Sequence, residues 1–273
     1  SELFFIIESL ILQKNYFNHG LGPLLISSGS PYEYYDIENE NIPEKIHHTT
    51  EQCLCIIRDC IFSGIVMKDD AFIDIESSSS FYLTDCVFSS CTAQKKPLLY
   101  LKTRASKITH MCCANIKGVS VDNDDKKQSL ILETNTETGS FFRMIYSTVV
   151  GDDSEINKMQ AIYYHGTCSL QVQCNNFSNI RNRLTENIDN YDRLIISIIG
   201  QRCLQYQMNT ISKMECTNHI ICVNLQNGDE ENNGHYIGFS NFIDNRYGGW
   251  VISLSLFAKT NMYICDSIFR NNQ

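Results

Sequence analysis

The sequence predicts an all-β chain wound into a parallel β-helix. Three observations carry that expectation. A ten-residue pattern recurs through the chain, a second apolar segment follows each recurrence, and Asn (25 residues) outnumbers Gly (14) and Pro (4). The clearest copy is FYLTDCVFSS at 81–90, which reads apolar-x-apolar-x-x-small-x-apolar. It returns as CIIRDCIFSG at 55–64, LQVQCNNFSN at 170–179, LQYQMNTISK at 204–213 and MYICDSIFRN at 262–271. Weaker copies are LILQKNYFNH at 10–19, THMCCANIKG at 109–118, FRMIYSTVVG at 142–151 and HYIGFSNFID at 235–244.

Three columns of this alignment set the expected interior. The third position holds Leu12, Ile57, Leu83, Met111, Met144, Val172, Tyr206, Ile237 and Ile264. The sixth holds Asn15, Cys60, Cys86, Ala114, Ser147, Asn175, Asn209, Ser240 and Ser267, and the eighth holds Phe17, Phe62, Phe88, Ile116, Val149, Phe177, Ile211, Phe242 and Phe269. Side chains alternate faces along a strand, so positions 3 and 8 cannot both point inward from one straight strand. A corner between positions 3 and 6 resolves the parity. Asp59, Asp85 and Asp266 stand there, and Asp tolerates the left-handed backbone that a tight corner needs.

The segments that follow are rich in β-branched and large apolar residues, which favour strands. They are Ala71–Ile75, Leu98–Leu101, Leu130–Leu132, Ala161–Tyr163, Leu194–Ile196, Ile220–Val223 and Val251–Leu254. Three short strands per coil of about 25–34 residues, repeated over about eight or nine coils, define a solenoid whose equivalent positions stack about 4.8 Å apart. Leucine-rich, propeller and helical repeats fail on spacing, period and the missing 3.6-residue rhythm. The step from Phe17 to Phe62 is longer than the rest. It implies an insertion at about 28–52, whose Pro31, Pro43 and acidic polarity suit an exposed loop. The whole of 1–273 reads as a single domain.

Composition narrows the function classes. Lys+Arg 22 against Asp+Glu 31 gives a net charge of −9, which opposes non-specific nucleic-acid binding. No run of 18 apolar residues is long enough to cross a bilayer as a helix. Any membrane attachment would come from segments outside this chain. The apolar opening SELFFIIESLILQ carries Glu2 and Glu8 and no basic start, so it reads as a strand rather than a signal peptide. The chain starts at Ser1 and stops inside a repeat, which reads as part of a longer protein.

Thirteen cysteines form no C-x2-C pair. Cys53 and Cys55, with His47 and His48, come nearest to a metal cluster but read as a strand and a polar loop, since zinc needs four convergent ligands. No metal or other cofactor is expected. Cys60 and Cys86 fall in one inward column. Stacked side chains point in parallel, which favours buried thiols over a disulfide.

The segments FIDN at 242–245, GGW at 248–250 and FRNN at 269–272 resemble the F-x-x-N and GG-A/I repeats of polymorphic-membrane-protein-like surface proteins, found in chlamydial autotransporters and in trichomonad parasites. FSSC at 88–91 looks like a degenerate copy. The resemblance implies a right-handed, single-stranded, pectate-lyase-like β-helix at the cell surface or outside the cell. It also implies adhesion, with a host cell surface or a glycan as partner. The sequon Asn176-Phe177-Ser178 is compatible with secretion, with Asn176 expected to point outward.

Parallel β-helices also carry polysaccharide lyases and hydrolases, which need paired carboxylates or carboxylate-held Ca²⁺. Gly151-Asp152-Asp153 is the weak catalytic candidate, although adjacent strand residues face opposite sides. Asp122-Asn123-Asp124-Asp125 reads first as a loop, with calcium as its alternative. The seven His form no nucleophile motif, and His235 is expected at a satisfied core position. Exposed aromatics could form a sugar-binding stripe, for which Tyr32, Tyr34, Tyr35 and Trp250 are the candidates. Trp250 is also expected to pack inward, at the start of a strand. The sequence therefore points to a non-catalytic surface adhesion module, with a polysaccharide-degrading enzyme and a structural spacer as alternatives.

Overall fold

The computed structural model describes residues 54–67, 71–76, 80–93, 96–118, 129–136, 141–151, 160–166, 169–182, 196–200, 203–216, 219–225, 235–256 and 261–273, together with strands at 9–13, 16–18, 25–27 and 46–47. These residues form a parallel β-helix with three long sheets. The first stacks nine strands from Ser9–Gln13 through Ser80–Thr84 to Met262–Cys265. The second runs from Tyr16–Asn18 through Val87–Ser89 to Ile268–Arg270. The third collects the apolar segments, among them Ile73–Glu76, Ser129–Thr136 and Ile252–Leu256. Within the insertion expected at 28–52, Ile46–His47 form a strand that pairs in parallel with Leu25–Ser27. The rest of that insertion lies outside the described residues.

The aligned columns become ladders. Phe17, Phe62 and Phe88 are register partners in successive coils, as are Val149, Phe177, Ile211, Phe242 and Phe269. Phe62 and Phe88 stack at 4.7 Å between ring centroids, and Phe242 and Phe269 at 4.8 Å, which is the spacing of neighbouring strands. Phe72, from the third-sheet side, meets both rings of the first pair edge-on.

One coil differs from the expected register. At 109–118 the sequence placed Met111, Ala114 and Ile116 in the three columns. The structure places Ile108, Met111 and Cys113 there. The cause is an exchange of volumes. The small column takes the long Met111 and the large column takes the short Cys113, so total volume is kept while the pattern is inverted. Both are buried.

The corner between the first two sheets is one residue in the left-handed region. Asp59, Asp85 and Asp266 occupy it with φ of 54°, 53° and 46°. A second left-handed corner follows five residues later, at Gly64, Ser90 and Asn271 in those coils. In the coil of Tyr146 the residue five places on, Gly151, is not left-handed and pairs with Ile116 after a register shift. A Cβ on Gly151 would collide with the carbonyl oxygen of Asn179.

Tight corners leave backbone N–H groups without ladder partners, and a buried N–H must be satisfied. Here the next coil supplies the acceptor. Ser147 N–H donates to Asn175 Oδ1 at 2.8 Å, Asn175 N–H to Asn209 Oδ1 at 3.0 Å, and Asn209 N–H to Ser240 Oγ at 3.3 Å. The amide nitrogens of Asn175 and Asn209 donate back to the carbonyls of Met144 and Val172. Asn245 does the same at the second corner, accepting from Met214 N–H at 2.9 Å and donating to Ile211 O at 3.1 Å. Asn272 repeats this on Asn245 and Phe242. The F-x-x-N segments thus combine a ring for the core with an amide for the corner.

The small column also explains its own composition. Ser147, Ser240 and Ser267 donate their hydroxyls to the carbonyl two residues before them, and Cys60 and Cys86 donate their thiols in the same way. Cys86, Cys91 and Cys113 are free, buried thiols. The hydrogen bond to Cys60, then burial, pushes the Cys86 thiol far up, and burial does the same to Cys113. Such thiols are poor nucleophiles.

His235 is 2% exposed and its Nδ1 accepts from Leu204 N–H at 3.1 Å, the satisfied core position expected of it. Burial lowers its pKa below the ordinary 6.5. The folded state therefore holds the neutral ring, while the unfolded chain protonates as pH falls through 6.5. Stability carried by this site is complete above that value and declines below it. Unfolding midpoints compared at about pH 7.5 and about pH 5.5 should fall by less in His235→Gln than in the unaltered protein. Equal falls would dismiss the assignment.

Candidate interaction surface

The described acids and bases that come together do so as pairs, Asp74 with Lys96, Asp85 with His110 and Glu215 with Arg181. Asp74, on the third sheet, is a buried carboxylate, but Lys96 Nζ holds it at 3.1 Å. Arg181, Glu215 and Arg246 share one register column on a short outer sheet, with Arg181 Nε 3.6 Å from Glu215 Oε2. That alternation balances charge rather than focusing it. Among the described residues no three His, Cys, Asp or Glu side chains converge on a metal position. Asp152, Asp153 and Asp122 to Asp125 lie outside the described residues, as do Tyr32, Tyr34, Tyr35, His48 and Cys53. His47 and Cys55 sit on strands whose side chains are likewise outside them.

Trp250 is placed, and its expected inward packing is corrected. It is 68% exposed. Val251 takes the inward position, while the Trp250 backbone donates to His219 Nδ1 at 2.9 Å and accepts from Ile220 N–H. Alternation carries the indole outward.

The feature that stands out is the first corner itself. Asp and Asn are the side chains that relieve a left-handed backbone. Yet in five successive coils the left-handed residue is His110, Tyr146, Cys174, Met208 and Phe239, with φ between 51° and 56°. Tyr146 is 60% exposed, and Met208 and Phe239 are each 51% exposed. His110 and Tyr146 stack with centroids 5.5 Å apart, and His110 Nδ1 lies 3.1 Å from Asp85 Oδ1. Together they form a ridge along the solenoid edge. Bulky non-glycine residues in this region each cost on the order of 1–2 kcal/mol.

The flanks of the ridge are uncharged and, apart from Ile145 and Gly238, polar. On the first-sheet side the register column reads Ile145, Gln173, Gln207 and Gly238. On the second-sheet side it reads Thr148, Asn176, Thr210 and Asn241. Gln173 Nε2 reaches Gln205 Oε1 at 3.3 Å and Gln207 Oε1 at 3.5 Å, which orients the amide row. Asn176 is exposed, the outward position expected of it.

The sequence reading missed this ridge. The signal was present in the fifth template position, between the apolar and small columns. Only its aspartates were read as corner residues, and the Tyr, Met and Phe in the same place went unread. No protein-family model matches the chain, and neither does any curated protein or solved structure at a significant level.

Proposed function

We propose that the chain is a non-catalytic, surface-exposed interaction module that engages a host-cell or glycan partner through the corner ridge. One observation carries the reading. Tyr146, Met208 and Phe239 are bulky, solvent-exposed and held in a backbone region that disfavours them. Strain of this kind accumulates where a site needs it. The solenoid supplies the rigid support, and stacked corners fix the spacing of the side chains. The resemblance of FIDN and FRNN to repeats of surface proteins supports an extracellular or cell-surface location.

The test exploits opposite signs. Tyr146→Asn, Met208→Asn and Phe239→Asn together should raise thermal stability, because Asn accepts the left-handed corner more readily. The same triple variant should lose attachment to cells that bind the unaltered protein. Undiminished attachment by the folded variant would sink the proposal.

A further inference from the structure

Resting on that reading, we infer that the ridge binds a neutral glycan chain laid lengthwise along the coils, with Tyr146 and Phe239 as stacking platforms and the flanking amides as hydrogen-bond partners.

The first argument is charge. The protein carries 19% charged residues and a net charge of −9. Across the four coils from Tyr146 to Phe239, neither the corner column nor either flanking column holds an acid or a base. A polyanion needs Lys or Arg, and an anionic lipid surface needs them too. A protein partner is usually gripped by Trp, Tyr and Arg anchors, and this strip supplies no Arg. What remains is a ligand that is uncharged and rich in hydroxyls.

The second argument is the arrangement of the side chains. An aromatic face carries negative quadrupole charge and attracts the weakly positive C–H edge of a pyranose ring. Amides offer both donors and acceptors, which suits a hydroxyl that is both. Gln173, Gln207, Asn176 and Asn241 present them at fixed rungs on either side of the ridge. Three coil steps separate Tyr146 from Phe239, about 14 Å at the strand spacing, a length that a glycan of about three rings would span. Three exposed apolar side chains separated in this way offer too little contiguous area to insert into a bilayer.

The experiment is titration calorimetry, with saturation-transfer NMR as the second readout. The protein is made without N-glycosylation, since a glycan on Asn176 would cover the strip. The ligand panel contains gluco-, xylo- and manno-oligosaccharides of increasing length, with oligogalacturonate and heparin fragments as acidic arms. We expect binding to a neutral series that strengthens up to about three or four rings and is insensitive to salt. Tyr146→Asn and Phe239→Asn should each weaken it about tenfold, and NMR should show ring protons of the sugar against the aromatic side chains. Failure of every neutral series to bind folded protein, or equal affinity in both variants, overturns the inference. So does salt-sensitive preference for the acidic arms. If neutral glycans fail while the ridge variants still abolish cell attachment, the ridge takes a protein partner; the inference falls and the interaction module stands. If the variants change neither readout, both fall.

Discussion

Phe88→Ala should destabilise the fold by about 3–5 kcal/mol, read as a lowered urea midpoint. The ring is fully buried and stacks on Phe62 at 4.7 Å, while Phe72 meets it edge-on. Its partner in the following coil is Cys113, too short to fill the space the ring would vacate. The void would therefore persist, and a persistent void is the costly case. The same change at Phe269 provides the contrast. That ring is half-exposed in the last described coil and stacks on Phe242 alone among the aromatic contacts described. Its removal should lower stability by much less. Equal losses at the two positions would contradict the account of a column whose worth depends on burial.

Asn209→Leu should destabilise by about 2–5 kcal/mol although it preserves volume and removes no apolar contact. It would strand the Asn175 backbone N–H and the Val172 carbonyl, and would leave the Asn175 side-chain amide with its Met144 bond alone. Each stranded buried group costs about 1–3 kcal/mol. Asn209→Ser should cost less than half as much, because Ser240 in the same column already caps a preceding N–H with its hydroxyl. The comparison of the two midpoints decides the matter. A leucine tolerated as well as serine would mean that the corner amides are not what holds successive coils together.

The fold was legible because its signal is periodic. Phe62, Phe88, Phe177, Phe242 and Phe269 sit in one column in the sequence and in one stack in the structure. Leu98–Leu101 and Ile220–Val223 announced their strands by β-propensity alone. The coil at 109–118 was misread where periodicity broke, since Met111 and Cys113 exchange size between neighbouring columns. Trp250 was misread because a segment that enters the core does so one residue at a time. The ridge was the least legible. Corner propensity predicts Asp, Asn or Gly, so Tyr146, Met208 and Phe239 at the same angle contradict local preference. Contradictions of this kind mark strained or functional positions, and here the strain is the observed one. The carboxylates and tyrosines singled out at 152, 153, 32, 34 and 35 lie outside the described residues.

The corner asparagines have a direction. Ser147 is completed by Asn175, Asn175 by Asn209, Asn209 by Ser240 and Ser240 by Ser267, each donor served by the coil that comes later in the chain. Synthesis runs the same way. A nascent coil leaving the ribosome therefore carries dangling corner amides until its successor emerges and seats itself. Growth would proceed like courses of brick, with each layer mortared by the one above. Peeling from the late end undoes one course at a time, and each step re-exposes the amides of the course beneath.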